Sequence, residues 1–382
     1  MPIKVLMLGR IGLLEDGGGD RIQVENTAEE LGKLGVEVSI KTDLNFDPRL
    51  YDIVHVFQLD WTPETYLYAK KVKKFKKPLV LSPIHHNVEE VKKFDDIYVF
   101  DFRKISKVLF KNQFHRDTFK NVYRSIFDLR KAKPTFFSIV LGFKNTQRQI
   151  LEWSDIVLVQ TGKEAEDLVK TFGVNIKWKK VSNGVSKVFE ECTTPESPLG
   201  FNDYILCVGR IEPRKNQLNI VKAVEKLRNE TARDLKLVFI GPLEGKKHFE
   251  YSRLFLKEVQ SKSWITYIGK KQSGKVSHVE IPPYFKFAKV CVSASWFETT
   301  GLTSLEALIC GTNAVASGER AKECLGDYAS YCQPDDIDSI KEAIKKEYFA
   351  PRPVISDELK SEYTWENAAK KTLEAYNSVL AK

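Results

Sequence analysis

Short apolar runs alternate along this chain with longer stretches in which apolar positions recur every three or four residues. Ile3–Leu8, apolar but for Lys4, predicts a strand buried on both faces, the habit of parallel sheets. The period then changes to that of a helix from Ile22 to Leu34, with Val24, Ala28 and Leu31 on one side and Gly35 as the stop, and Val36–Ile40 predicts the next strand. Ile53–Phe57, Leu79–Leu81 and the run from Trp153 to Gln160 predict further strands. Thr161 and Glu164 have the spacing of a capping box at the start of a helix that reaches Phe172.

The alternation then repeats. Strands are predicted at Tyr204–Val208, Leu235–Ile240, Trp264–Ile268, Val290–Ser293, Asn313–Ala316 and Ser330–Cys332, and helices near Asn216–Arg228, Lys247–Ser261, Leu302–Ile309 and Ile337–Lys346. Two such series predict an α/β protein with two doubly wound parallel sheets. The Pro-bearing stretch Glu190–Gly200 reads as a linker, which divides the chain into domains 1–190 and 191–362 and leaves 363–382 with a last helix, Trp365–Leu380. A length of 382 residues suits two cores of ordinary size.

One region breaks the rhythm. Phe102–Phe143 is rich in Lys and Arg and carries Phe110, Phe114, Phe119, Tyr123 and Phe127 at spacings of three to five. This predicts a long helix whose aromatic stripe packs on the sheet, or else a basic, aromatic surface helix meeting anionic lipid or a lipid-linked substrate. Its tail, Pro134–Phe143, reads as an exposed flap. Charge sharpens the question: of the formal +9, residues 1–190 carry +7 and residues 191–382 carry +2. A positive face implies an anionic partner, be it nucleic acid, a membrane surface or a phosphorylated substrate. The run Lys70–Lys77 reads as a solvated helix face. The N-terminus reads as a strand rather than a signal peptide, and no apolar run approaches a membrane span. The six cysteines, all in the second half and without C-x-x-C spacing, read as reduced thiols.

Candidate chemistry concentrates in two stretches. From Ser293 to Ser317 a strand, a polar turn and a helix follow one another, with Glu298 in the turn and Glu306 one helical turn in, seven residues between them. The first amides of such a helix carry partial positive charge and suit a phosphate. Upstream, the strand ending at Gly209 is followed by Arg210, Arg214 and Lys215, cations placed to clamp a diphosphate at the mouth of a parallel sheet. Arg214 by itself reads as an ordinary solvated side chain. Gly17-Gly18-Gly19-Asp20, after the first strand, brings backbone amides where a phosphate or sugar could approach, yet is neither a dinucleotide fingerprint nor a Walker loop. Neither paired aspartates nor a histidine cluster has metal-ligand spacing.

The GRIEPRKNQ stretch and the two spaced glutamates, in that order, resemble the C-terminal domain of retaining nucleotide-sugar glycosyltransferases of family 4. The resemblance extends over nearly the whole chain and is thinnest between residues 85 and 150. It implies a GT-B fold, two Rossmann-like domains facing across a cleft, with 363–382 crossing back to the first. It implies Arg210, Lys215 and Glu298 as catalytic residues, the cations stabilising the departing diphosphate and Glu298 contacting the donor sugar. Glu306 would accept from ribose hydroxyls. Thr300, Gly301, Leu302 and Thr303 would meet the phosphates, Gly18 and Gly19 would approach the donor, and Gly269 and Lys270, with Lys271, the base. His85 and His86 follow the fourth strand where many members carry a histidine near the reacting sugar, with Asn87 in place of the usual acidic neighbour; for each a purely structural role is the alternative.

The implied reaction moves a hexose from a UDP- or GDP-sugar to a glycan or lipid-linked acceptor with retention, without metal or cofactor, in the cytoplasm or peripherally on its membrane. Two departures stand out: Thr299-Thr300 replaces Gly-Phe, and Asn313 replaces Pro, both expected beside sugar and phosphates. The rival readings are a nucleic-acid-binding protein using residues 104–148, which lacks any RNP, KH or zinc-finger pattern, a GT-B protein that binds a sugar nucleotide without transfer, and a sugar-nucleotide hydrolase or phosphorylase.

Overall fold

The computed structural model describes residues 2–16, 18–243, 248–269 and 276–381. The chain divides into two compact units: residues 1–92, 103–184 and 363–382 form the first, and residues 93–102 and 185–362 the second.

The first unit holds six parallel strands, β1 (Lys4–Leu8), β2 (Glu37–Lys41), β3 (Ile53–Phe57), β4 (Leu79–Ser82), β5 (Ile156–Val159) and β6 (Trp178–Lys180), in the order β2-β1-β3-β4-β5-β6. Side chains alternate across a strand. Leu6, Leu8, Val54 and Val56 therefore enter one core and Val5, Met7, Ile53 and Phe57 the other. Both faces are covered, which is why these strands read as unbroken apolar runs. The helix Trp365–Leu380 belongs to this unit, burying Trp365, Ala369 and Tyr376 in the second of those cores. β6 escapes the pattern because its sequence is Trp-Lys-Lys: it lies at the sheet edge, with Trp178 exposed.

The region 102–143 is not one long helix. It breaks into Ile105–Leu109, Gln113–Phe127 and Ala132–Leu141. Asn112 starts the second, its side chain accepting from the Phe114 amide at 2.9 Å, and Gly142, at φ +81°, ends the third. The presumed flap is thus mostly helix. Of the aromatic stripe, Phe114 turns inward onto Phe172, while Tyr123 and Phe127 remain exposed.

The second unit has β7 (Tyr204–Val208), β8 (Leu237–Ile240), β9 (Ile265–Ile268), β10 (Ala288–Val292), β11 (Asn313–Ser317) and β12 (Ala329–Cys332), all parallel, in the order β12-β11-β10-β7-β8-β9. Strand order reverses between β7 and β10, and in such sheets ligands lie beyond the carboxyl ends of the strands at that point. Helices at Pro282–Phe287, Glu319–Leu325 and Asp357–Glu362 are too short for their period to stand out in the sequence. Residues 93–102 join this unit through aromatic contacts: Phe94 packs edge-on against Phe297, and Phe100 against Tyr251.

Asn313 begins β11 and so sits at the opposite edge from the carboxyl ends, a correction to its expected place beside the sugar. Its buried amide donates to the Glu347 carbonyl at 2.8 Å, near the end of the helix Ile337–Phe349, where carbonyls lack helical partners. Asn313→Ala is expected to lower stability by about 1–2 kcal/mol while leaving ligand-induced thermal shifts intact. A variant that keeps its melting temperature but loses the shift would contradict this placement.

Candidate functional site

In the second unit the loops after β7 and β10 meet. Adjacent strands β7, β8 and β9 are each followed directly by glycine: Gly209, Gly241 and Gly269. Gly241 has φ +144°, and a Cβ there would lie 2.1 Å from the Gly209 carbonyl oxygen, so no other residue fits. Gly269 is half-buried at the end of β9, packed on Tyr267. Lys270 and Lys271 lie outside the described residues, so the expected base-contacting segment is seen only at Gly269.

The loop from Gly209 turns back at Asn216, which adopts φ +63°, a left-handed conformation that asparagine tolerates. Its buried side-chain amide donates to the carbonyls of Ala294, just past β10, at 3.0 Å and of Pro334 at 2.7 Å. That brace ties the loop after β7 to the one after β10. Within it, Lys215 donates from Nζ to Glu298 Oε1, both side chains about five-sixths buried. Arg214 Nη1 lies 3.8 Å from the same carboxylate and 3.4 Å from the Phe297 carbonyl oxygen.

Arg214 is therefore not the solvated side chain its sequence context suggests. It also donates to Glu212 Oε1 through Nε and Nη2, at 3.1 and 3.0 Å, and so joins two buried carboxylates. Burial alone would raise the Glu298 carboxyl, but Lys215 and Arg214 hold it at about 2. Glu212 follows the same logic: burial opposes ionisation, and Arg214, Arg210 and Lys215 bring it to about 2. Arg210 is the most exposed of the three cations, with Nη2 3.9 Å from Glu212. Glu212 was missed in the sequence because a Glu before Pro looks like loop solvation; it is buried in a loop that folds against the segment following β10.

The helix Leu302–Ile309 begins at Gly301, φ +70°, a cap without a side chain to occupy the first amides. Leu302 and Thr303 are half-buried and Thr300 is fully buried, so the Thr300 hydroxyl is inside the fold rather than at its surface. Glu306, also buried, accepts from His278 Nε2 at 2.8 Å. For His278 burial opposes protonation, but the Glu306 hydrogen bond and charge outweigh it and raise its pKa. The sequence offered no signal for His278, which follows a Lys- and Gly-bearing stretch without period. Cys291, near the end of β10, is buried, which raises its thiol pKa; Cys207 and then Glu306 add to the rise and Lys215 opposes it.

The first unit presents a separate polar pocket, lined by Asp60, Trp61, His85, His86, Gln113 and Asp117 among others. Asp60 follows β3 and supplies the acid that Asn87 does not. Its Oδ1 lies 2.7 Å from His85 Nδ1, and its Oδ2 accepts from the His86 amide at 2.7 Å. Burial would raise the Asp60 carboxyl, but the two imidazoles hold it well below the usual range. His86 stacks on Trp61, ring centroids 4.9 Å apart. His85 is buried, and its amide donates at 2.7 Å to Glu164, the capping-box residue, which also accepts from the Gln160 amide. Asn87 instead caps the helix Val88–Ile97 through the Glu89 and Glu90 amides. Gln58, Trp61 and Ile84, in the loops after β3 and β4, have φ of +69°, +58° and +46°. Such conformations are costly for these residues and gather where a site over-determines the backbone.

The glycine loop lies after β1. Gly18 (φ +134°) caps the helix Gly19–Lys33, which starts three residues before its apolar period does, and nothing lies within 4 Å of where a Gly19 Cβ would be. Asp20 anchors the loop, accepting from Arg10 at 2.6 Å and Gln58 at 3.1 Å. Gly17 lies outside the described residues.

Comparison with known proteins fits this geometry. Residues 198–371 match the family described as Glycosyl transferases group 1. The O-antigen chain mannosyltransferase B of Escherichia coli is 28% identical over 189 residues, 47% of this chain and 46% of that one. This chain spans less than half the length of the curated relatives it matches. Among solved structures, sucrose-phosphate synthase from Thermosynechococcus elongatus superposes with a TM-score of 0.68 at 16% identity, covering 99% of both chains. Anabaena HepE, solved with UDP and glucose, superposes at 0.59 and 13% identity over 99% of this chain and 97% of that one. At those identities the likeness shows the fold. Residues 198–371 thus resemble a group 1 glycosyl transferase domain, and the chain as a whole has the GT-B fold.

Proposed function

We propose that this protein is a retaining glycosyltransferase that moves a hexose from a UDP- or GDP-sugar to a hydroxyl of a glycan or lipid-linked saccharide. The observation carrying this reading is the meeting of Lys215 and Arg214 with Glu298, and of Arg214 and Arg210 with Glu212, at the β7/β10 reversal of a domain that matches the group 1 glycosyl transferases. The mannosyltransferase relative and the neighbour solved with UDP and glucose support a sugar nucleotide as donor.

The diphosphate would lie between the Arg210–Lys215 loop and the Gly301 end of the helix Leu302–Ile309. The bond from the anomeric carbon to the β-phosphate oxygen breaks, and the acceptor oxygen bonds to that carbon on the same face. The acceptor proton passes to the leaving phosphate, whose charge the fixed cations and helix amides stabilise without reorganising. Because Lys215 and Arg214 already neutralise Glu298, that carboxylate can face sugar hydroxyls without repelling the phosphates. Glu306 would exchange His278 for the ribose hydroxyls, and the Asp60–His85–His86 pocket would serve the acceptor.

Thermal shift against UDP- and GDP-sugars tests the reading. One nucleotide series should raise the melting temperature, since a ligand that binds only the native state stabilises it. Glu306→Ala should weaken that response by about tenfold in apparent affinity, the loss of a charged hydrogen-bond acceptor. Silence toward every sugar nucleotide, or an unchanged response in Glu306→Ala, would remove the proposal's basis. Acceptor-independent release of nucleotide as the sole activity would make the protein a hydrolase instead.

A further inference from the structure

Three neighbouring helices of the first unit have their polarity reversed. Gln113–Phe127 buries Gln113, Arg116, Asp117 and Asn121. Its outer side leaves Val122, Tyr123, Ile126 and Phe127 exposed, the last two by 68% and 73%. Ala132–Leu141 buries Thr135 and Ser138 and exposes Phe136, Ile139 and Val140. Ile105–Leu109 buries Ser106 and exposes Val108 and Leu109. Leu129, in the turn between the two longer helices, is 80% exposed. A helix on a water-facing surface normally shows the opposite arrangement.

The inward polar face has an explanation in the pocket: Gln113 and Asp117 line it, and Arg116 Nε donates to the Phe110 carbonyl at 2.8 Å. The outward apolar face has none within the fold. Scattered apolar residues at a surface are ordinary, but a set spanning three adjoining helices marks an interaction surface. Charge identifies its partner. Residues 104–148 contain eleven Lys and Arg against two Asp, an excess of +9 equal to that of the whole chain. Lys104, Lys111, Lys133 and Lys144 are exposed among these helices. A second copy of the chain would bring the same positive charge against itself. Nucleic acid would answer the lysines and leave isoleucine, valine and leucine uncovered.

We propose that this face docks peripherally on an anionic lipid bilayer, the exposed apolar side chains entering the headgroup–acyl boundary and the lysines meeting anionic headgroups. Both halves of the surface are then satisfied by one partner. No helix among the described residues is long and apolar enough to cross a membrane, so the attachment is to one leaflet. The inference rests on the first unit alone and stands apart from the sugar-transfer reading.

Co-sedimentation of the full chain with vesicles decides it. Binding is expected to vesicles of equal parts phosphatidylglycerol and phosphatidylcholine, and to be much weaker to phosphatidylcholine alone. Ile126→Ser/Phe127→Ser/Phe136→Ser should lower partitioning by about tenfold or more at any salt, as apolar burial is lost. Lys104→Gln/Lys133→Gln/Lys144→Gln should lose about fivefold per lysine at low salt and less at high salt. These side chains are exposed, so melting temperatures should hold, which separates lost docking from lost folding. Absent binding to anionic vesicles, equal binding to neutral ones, or unchanged binding of both variants would overturn the proposal. So would a dimer, or an RNA complex, that the apolar variant disperses while vesicles go unbound.

Discussion

Lys215→Ala is expected to cut sugar transfer by about 100- to 1,000-fold, the effect of removing one pre-placed charge from a developing anion. Lys215 contacts Glu298 directly, and both are largely buried. Without the ammonium, Glu298 keeps Arg214, at 3.8 Å, as its nearby cation beside a hydrogen bond from Ser295, and becomes a buried, under-compensated carboxylate. Its carboxyl, held at about 2 by Lys215 and Arg214, should then rise. Two consequences follow in one variant: the diphosphate loses a cation, and the protein loses stability. They are separable. In the Glu298→Gln background the stability cost of Lys215→Ala should shrink, because no buried charge is orphaned, while the catalytic loss should persist. Steady-state rates at saturating donor, beside urea denaturation of the four proteins in the cycle, make the measurement. Full transfer activity in Lys215→Ala would end the proposed role.

The second large effect is on stability against pH and centres on His55, in the first unit. It lies in the middle of β3, buried, with Nδ1 2.8 Å from the Tyr376 hydroxyl and Nε2 2.9 Å from Ser82 Oγ. One ring nitrogen donates and the other accepts, so the neutral imidazole is satisfied as it stands. Burial pushes its pKa from 6.5 down to about 3. In the unfolded chain the same group takes up a proton near its ordinary value. Between pH 6.5 and 3 the unfolded state therefore binds more protons, and unfolding free energy falls as pH falls through that window. The loss should reach about 4 kcal/mol by pH 3, with stability from this group intact above pH 6.5. Urea denaturation from pH 7.5 to 5, where most carboxylates stay ionised, reads the onset. His55→Gln, which retains both hydrogen-bonding capacities, should flatten the slope; an identical slope in that variant would refute the assignment.

How much of this was legible beforehand varies with the kind of information. The inner strands of both sheets stand in the sequence because they are buried on both faces, and burial of consecutive side chains leaves mostly apolar residues. β6 does not stand there, since an edge strand of Trp178, Lys179 and Lys180 carries no such demand. The 102–143 region was misread as one long helix because its charged and aromatic residues keep a helical period across breaks set by single residues, Asn112, Asp128 and Gly142. Its polarity could not be read at all: which side of an amphipathic helix faces inward is settled by what lies beneath it, here a polar pocket.

The site divides in the same way. Local chemistry along the chain, a strand followed by glycine and cations, or a turn and helix bearing two glutamates, marks Arg210, Lys215, Glu298 and Glu306 as candidates, since each stretch needs only its own neighbours to be recognised. Their partners belong to the tertiary structure. Lys215 meets Glu298 across 83 residues, His278 meets Glu306 across 28, and Asp60 meets His85 across 25. Sheet order made the first and last of those meetings, by placing β10 beside β7 and β4 beside β3. A pattern of apolar residues says that a strand is buried but not which strand lies beside it. The charges that neutralise Glu298, bury Arg214 and hold down Asp60 therefore come from adjacency in space, which no single stretch of this chain encodes.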